Sequence, residues 1–198
     1  MSVSSLIAFV VVVAAAVLIA WWVLHRPGAS IDARAKLGPV EGRFIVTAAV
    51  RKDVERHLVT AAQEKRLSVS HDVDLERVTT VRRLRVLWVD DTPEWIVHEV
   101  LMMRDLGHNI VYAPSSRVAE MYLATGPFDL LITDLTRDGH REAGVEMLRK
   151  LGGRIPSIVY CGILDDRANQ ARQAGALAVT TTPAGLLEAV LSWSEKRS

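Results

Sequence analysis

From Leu84 onward, five short apolar segments alternate with longer segments of mixed polarity. The apolar segments read RVLWV, NIVYA, DLLIT, SIVYC and LAVTT. Continuous apolar runs of this length are typical of strands that are buried on both faces of a parallel sheet, and their alternation with helical segments is typical of α/β folds. The pattern predicts five strand–helix units in a domain that covers residues 84–196.

Residues that start and stop helices punctuate the segments between these strands. Ser, Asp or Pro at a helix start and Gly just after its end are the expected markers. On these markers we expect helices from Thr92-Pro93 to near Gly107, from Ser115-Ser116 to Gly126, from Asp165-Asp166 to Gly175, and from Pro183 to about Trp193.

Near the N-terminus, residues 6–24 read LIAFVVVVAAAVLIAWWVL and carry no charge. A helix of this length matches the hydrocarbon core of a bilayer, and Trp21 and Trp22 would lie at its interface. We therefore predict a single transmembrane helix within residues 1–25. A cleaved signal peptide and a buried core helix are the alternatives, but a signal peptide normally has a basic start and a shorter apolar core.

The charges that flank this segment predict its orientation. Arg26, Arg34, Lys36 and Arg43 all follow the apolar run, and no Lys or Arg precedes it. Because basic flanks stay on the cytoplasmic side, we expect a single-pass protein of the inner (cytoplasmic) membrane with its C-terminal domain in the cytoplasm. A lone cysteine, Cys161, agrees with a reducing compartment.

Residues 26–83 are predicted to form a juxtamembrane linker that is partly helical. A helix over residues 51–66 would place Val50, Val54, Leu58 and Ala61 or Ala62 on one face, and Leu75, Val78 and Val81 form a second short apolar stripe. A tether, a dimerising stalk and a small cap packed on the next domain are all compatible with this pattern. A solvated spacer is the interpretation that we favour from the sequence.

Composition and charge exclude several classes of protein. The 198 residues are 49% hydrophobic and carry a formal net charge of +1, which argues against both a disordered chain and a dedicated nucleic-acid binder. One cysteine excludes an internal disulfide framework and a Cys-rich zinc site. Residues 25–83 hold 12 Lys and Arg against 8 Asp and Glu, whereas residues 84–198 hold 12 against 15. Two regions with different surroundings are therefore expected.

Polar residues follow the ends of the predicted strands. Asp90-Asp91 follows the first strand, Asp134 the third, Cys161-Gly162 the fourth and Thr182-Pro183 the fifth. In an open parallel sheet, ligands bind beyond the carboxyl ends of the strands. Three carboxylates at this edge would repel one another unless they were protonated or shared a cation, and oxygen ligands of this kind suit Mg²⁺. An aspartate beside Mg²⁺ can act as a nucleophile toward a phosphoryl group.

Four segments of the sequence resemble successive strands of the receiver domain of bacterial response regulators: RVLWVDD, DLLITDL, IPSIVYCG and AGALAVTTTP. The resemblance covers about residues 84–196. It implies a CheY-like, flavodoxin-like fold: a five-stranded parallel sheet in the order 2-1-3-4-5, with helices on both faces.

The resemblance also assigns roles to individual residues. Asp134 would be the phosphoacceptor, and Asp91 would bind Mg²⁺ directly, with Asp90 helping partly through water. Together with Asp134, the backbone carbonyl of Thr136 would complete the protein ligands of the metal. The Thr182-Pro183 bond would correspond to a bond that is cis in the family.

The chain departs from the family at the residues that bind the phosphoryl group. Cys161 stands in place of a Thr or Ser, and a thiol is a weaker hydrogen-bond donor than a hydroxyl. Thr182 stands in place of a Lys that pairs with phosphoryl oxygens, and Val179 replaces an aromatic switch residue. The loop LTRDGHREAG contains Arg137, which would either supply the missing positive charge or lie in solvent.

We therefore expect a membrane-anchored, stand-alone receiver domain of a phosphorelay. It would accept a phosphoryl group on Asp134 from a histidine kinase or phosphotransfer protein and signal through an unidentified protein partner, without nucleic-acid binding. The alternative is a pseudo-receiver interaction module that works without phosphorylation. We expect no enzymatic activity beyond phosphorylation and dephosphorylation of its own aspartate. The sequence also has a faint likeness to aspartate-nucleophile phosphatases, but it lacks their D-x-D spacing. It has a faint likeness to TIR domains as well, but no glutamate is evident in a catalytic pocket.

Overall fold

The computed structural model describes residues 43–68 and 73–195. Residues 6–24 lie outside these ranges, so the transmembrane helix stays a prediction. Within the described ranges, no helix is both long enough and apolar enough to cross a bilayer.

Seven strands and six α-helices make up the described chain. In chain order they are β1 (Arg43–Ile45), α1 (Ala48–Glu64), β2 (Thr80–Arg82), β3 (Arg85–Val89), α2 (Val97–Asp105), β4 (Asn109–Ala113), α3 (Ser116–Thr125), β5 (Leu130–Thr133), α4 (Ala143–Leu151), β6 (Ser157–Tyr160), α5 (Arg167–Gln173), β7 (Ala176–Thr180) and α6 (Pro183–Glu195). Short 3-10 turns cover Leu75–Arg77 and Pro93–Trp95.

A five-stranded parallel sheet forms the centre, in the order β4-β3-β5-β6-β7. This is the order 2-1-3-4-5 of the predicted strands, so the predicted α/β fold is confirmed. Alternate residues of β3 point to opposite faces, which places Val86 and Trp88 in one core cluster and Leu87 and Val89 in the other. Helices α2 and α6 contribute to the first cluster, and α3, α4 and α5 contribute to the second.

The segment before the sheet is packed against it. Val50, Val54 and Leu58 of α1 belong to the same buried cluster as residues of α2 and α6, and β1 pairs antiparallel with β2. The predicted helix and its apolar face are confirmed, with Ala61 and Ala62 also buried. The solvated-spacer interpretation is wrong for the described part of this region, because the apolar face of α1 is buried on the sheet domain.

Helix boundaries follow the predicted markers at several places. Ser115 caps α3, since its Oγ accepts a hydrogen bond from the backbone N of Val118 at 3.3 Å, and Pro183 is the first residue of α6. At Thr92, however, Pro93–Trp95 forms a 3-10 turn and α2 starts only at Val97. The hydroxyl of Thr92 caps no backbone N–H there and instead donates to Asp91.

The Thr182–Pro183 bond differs from the expectation drawn from the family. No cis peptide bond occurs between described residues, so this bond is trans. The trans isomer is the favoured one even before proline.

Candidate functional site

The carboxyl ends of the parallel strands open onto a cavity of about 270 Å³. Three predicted site residues line it: Asp90 after β3, Asp134 after β5 and Cys161 after β6. After β7, Thr181 lines the cavity, whereas Thr182 does not. The hydroxyl of Thr182 accepts a hydrogen bond from the backbone N of Gly185 at 3.1 Å, which caps the start of α6.

Asp90 is the most buried carboxylate of the predicted site, with 7% of its surface exposed. Its Oδ1 accepts a hydrogen bond from the backbone N of Thr92 at 2.8 Å. Burial, with smaller contributions from the negative charges of Asp134 and Asp91, raises the pKa of Asp90 to about 6 against the lowering effect of that hydrogen bond. The carboxylates of the site therefore act on one another.

Asp134 is held at the end of β5 by two backbone contacts. Its N donates to the carbonyl of Val89 at 3.1 Å, and its Oδ2 accepts from the N of Thr136 at 3.1 Å. Burial raises the pKa of Asp134, while the backbone hydrogen bonds and the Arg137 charge oppose the shift. The carboxylate lines the cavity, where it can react or bind a cation.

Asp91 is exposed and turned toward the loop that follows β5. Its Oδ2 accepts a hydrogen bond from the backbone N of Asp138 at 2.6 Å, and Asp138 itself has a positive φ of 51°. This contact links the two predicted metal-binding segments, and Asp91 is not among the residues that line the cavity.

The donor set suits Mg²⁺, because three carboxylates and the Thr136 carbonyl are hard oxygen ligands. Burial and, to a smaller extent, the charges of Asp134 and Asp91 raise the pKa of Asp90, and a bound cation would favour its ionised form. Among the described residues, no three His, Cys, Asp or Glu side chains are close enough together to hold a metal. Coordination by all three carboxylates would therefore require these side chains to move closer together.

Cys161 is a buried, neutral thiol. Its Sγ lies 3.4 Å from the carbonyl of Ile163, to which it donates, and burial raises its pKa to about 11. At neutral pH this side chain is a weak hydrogen-bond donor to any ligand in the cavity and is not a thiolate nucleophile.

Arg137 is buried beneath the cavity and is not part of its lining. Its Nη1 donates to Thr133 Oγ1 at 2.6 Å and to the Asp134 carbonyl at 2.5 Å, and its Nη2 donates to Ser116 Oγ at 2.9 Å. Only 2% of its surface is exposed, and no described carboxylate forms an ion pair with it. The expectation of a solvated loop residue is wrong, because three polar groups at the end of β5 and the start of α3 draw the guanidinium inward.

Two polar residues of the cavity wall, Lys65 and Tyr160, were not anticipated from the sequence. Lys65 Nζ lies 2.8 Å from Glu99 Oε1, donates to the Trp95 carbonyl, and is 5.9 Å from the centre of the Tyr160 ring. Tyr160 donates to the same buried Glu99 at 2.6 Å. The sequence gives no signal for Lys65, because it is one basic residue among the charges at the end of α1.

No protein-family profile matches the sequence, and no curated protein is significantly similar to it. Solved structures do match. A two-component response regulator from Clostridium difficile superposes with a TM-score of 0.51 at 16% identity, covering 58% of this chain and 98% of that chain. The Francisella response regulator 1452 receiver domain gives a TM-score of 0.52 at 15% identity, covering 59% of this chain and 100% of that chain.

A CheY-like receiver domain protein from Methanospirillum hungatei JF-1 gives a TM-score of 0.50 at 22% identity, covering 59% of this chain and 99% of that chain. At these identities the likeness establishes the fold. The sheet and its flanking helices have the fold of response-regulator receiver domains.

Proposed function

We propose that this chain is a receiver-type signalling protein that accepts a phosphoryl group on Asp134. The observation that carries the proposal is that Asp90 and Asp134 line one cavity at the carboxyl edge of a receiver-fold sheet. The Thr136 N–H holds the Asp134 carboxylate at the cavity, where one of its oxygens would attack. A histidine kinase or phosphotransfer protein is the donor class, and a protein partner receives the signal.

In the proposed transfer, a carboxylate oxygen of Asp134 forms a bond to the phosphorus of a phosphohistidine. The P–N bond breaks, and the donor imidazole keeps the electron pair and takes up a proton. Mg²⁺ held by Asp90, Asp91, Asp134 and the Thr136 carbonyl would neutralise charge on the phosphoryl oxygens. Burial raises the pKa of Asp134, and the Arg137 charge beneath the site opposes this shift in favour of the reactive, ionised form.

Beryllofluoride, an acyl-phosphate mimic, tests this proposal in the full chain with Mg²⁺ present. Trp95 lines the cavity and is 62% exposed, so its fluorescence should respond to ligand binding. We expect a saturable change that needs Mg²⁺ and disappears in Asp134→Asn. An Asp166→Asn control, on an exposed residue before α5, should titrate like the wild type. A folded protein that shows no response would contradict the proposal.

The alternative candidate is a pseudo-receiver that binds its partner without phosphorylation. Two observations favour it: the Thr182 hydroxyl is engaged in capping α6, and Asp91 is turned toward the Asp138 N–H. Asp134→Asn separates the two candidates, because it should abolish signalling by a phosphoacceptor and leave partner binding by a pseudo-receiver intact.

We also propose that residues 6–24 anchor the chain in the inner membrane, with the receiver-fold domain in the cytoplasm and no catalytic activity beyond its own aspartate. The uncharged run and the basic residues that follow it support this topology. Membrane flotation of the full chain should be lost when residues 6–24 are deleted. Flotation that persists without them would contradict the anchor.

A further inference from the structure

Two imidazoles meet where α1 packs on α2, outside the lining of the acidic cavity. His57 Nδ1 lies 3.1 Å from His98 Nδ1, with the ring centroids 5.4 Å apart. The side chains are 16% and 23% exposed, so solvent reaches both rings.

The second nitrogen of each ring faces a carboxylate. His57 Nε2 lies 3.5 Å from Asp105 Oδ2, and His98 Nε2 lies 3.3 Å from Glu64 Oε1. Each carboxylate favours a proton on the nitrogen that faces it. In two neutral rings with Nε2 protonated, both Nδ1 atoms carry lone pairs, which repel at 3.1 Å unless a cation lies between them.

We propose that His57 and His98 form a binding site for a divalent transition-metal ion of the Zn²⁺ class. Imidazole nitrogens suit such ions and bind Zn²⁺ at about 2.0–2.1 Å. Two ligands at that distance, with an angle of roughly 90–110° at the metal, lie about 2.9–3.4 Å apart. The observed separation is within this range, so small ring rotations suffice to aim both lone pairs at one ion.

The surroundings provide the other features of such a site. The carboxylates of Glu64 and Asp105 correspond to the outer partners that orient metal-binding imidazoles. No third His, Cys, Asp or Glu among the described residues completes the set, so the remaining ligands of the ion would be water molecules. Two protein ligands imply modest affinity.

The metal would join the N-terminal helix to the sheet domain. Glu64 is next to Lys65 in the sequence, and His98 is next to Glu99. Lys65 and Glu99 form an ion pair, and Lys65 lines the acidic cavity. An ion at the histidines would therefore hold α1 and α2 together immediately beside that wall. The inference is independent of whether Asp134 is phosphorylated.

Zinc titration calorimetry and cobalt absorption spectroscopy on the untagged full chain test the site. We expect one ion per chain with a cobalt spectrum of nitrogen ligation. His98→Gln should weaken binding by about tenfold or more, and Glu64→Gln, on an exposed side chain, by about tenfold. His140→Gln is the matched control, because His140 is an exposed histidine that pairs with Glu146 elsewhere.

Circular dichroism of each variant without metal establishes that it is folded, and Glu64→Gln keeps the test valid if a histidine variant unfolds. No zinc binding by the wild type would overturn the proposal and leave a shared proton between the rings. Wild-type affinity in both His98→Gln and Glu64→Gln would also overturn it.

Discussion

At the scale of single residues, burial and neighbouring charge set the ionisation of Asp90. Its pKa is raised to about 6 from 3.8, so the folded state holds a proton more tightly than the unfolded chain does. The contribution of protonated Asp90 to the free energy of unfolding is fully present below about pH 4 and is lost as the pH rises through 6. At neutral pH the ionised Asp90 lowers the free energy of unfolding by about 3 kcal/mol relative to pH 4.

We therefore predict that Asp90→Asn raises the free energy of unfolding of the full chain at pH 7 by about 2–3 kcal/mol, with the gain vanishing toward pH 4. Asn retains the oxygen that accepts from Thr92 N. Urea denaturation between pH 4 and 8, with EDTA to remove cations, measures the difference. Parallel pH profiles for variant and wild type would contradict the burial argument.

Arg137 contributes through hydrogen bonds to Thr133, the Asp134 carbonyl and Ser116. Arg137→Met keeps much of the volume but removes these donors from buried acceptors, and we expect a loss of about 2–4 kcal/mol of stability. Arg141→Met is the control, because its side chain is 77% exposed and should change stability by no more than about 0.5 kcal/mol. Equal stability of the two variants, measured by urea denaturation, would show that the buried guanidinium adds nothing.

At the scale of elements, the start of α4 lies against the end of β5. The N of Gly144 donates to the Leu135 carbonyl at 3.0 Å, and a Cβ at Gly144 would overlap the carbonyl oxygen of Asp134. Only glycine allows this approach, so the helix start fixes the backbone of the proposed phosphoacceptor.

Gly144→Ala should destabilise the chain by about 1–3 kcal/mol through overpacking, and it should weaken beryllofluoride binding because Asp134 must move. Gly162→Ala is a matched control at the cavity wall, since its added methyl group meets open space. Thermal denaturation and fluorescence titration provide the two readouts. If Gly144→Ala matches the control in both, α4 does not position Asp134.

Helix α1 is bound to the sheet domain by its apolar face. Leu58→Ala should cost about 2–5 kcal/mol of unfolding free energy, because Leu58 is 6% exposed within the core cluster. Leu177→Ala, at a half-exposed position on β7, should cost far less. A negligible loss of unfolding free energy in Leu58→Ala would contradict the packing of α1 on the sheet domain and favour a spacer.

At the scale of the whole molecule, hydrophobic patterning was enough to predict five parallel strands and the edge that bears Asp90 and Asp134, and the resemblance to receiver domains implied the strand order. Strand ends are local in sequence, and parallel winding brings them together whatever the loops do. The same reasoning found the apolar face of α1 from Val50, Val54 and Leu58.

The rest depended on contacts that are distant in sequence. Lys65 reaches the cavity only because α1 packs on α2, and the apolar face of α1 does not itself indicate which surface it covers. Arg137 lies in a loop whose composition favours solvent exposure, and its inward direction depends on acceptors from β5 and α3. The Thr182 side chain matched a family position, but Pro183 and Gly185 make it a helix cap.

The most direct test of the account is phosphorylation of the full chain by a small phosphodonor such as acetyl phosphate in the presence of Mg²⁺. Intact-mass spectrometry should detect one added phosphoryl group that is labile at alkaline pH, absent in Asp134→Asn and retained in Asp166→Asn. A folded wild-type chain that gains no phosphoryl group, or an Asp134→Asn variant that still gains one, would contradict the assignment of Asp134 as phosphoacceptor.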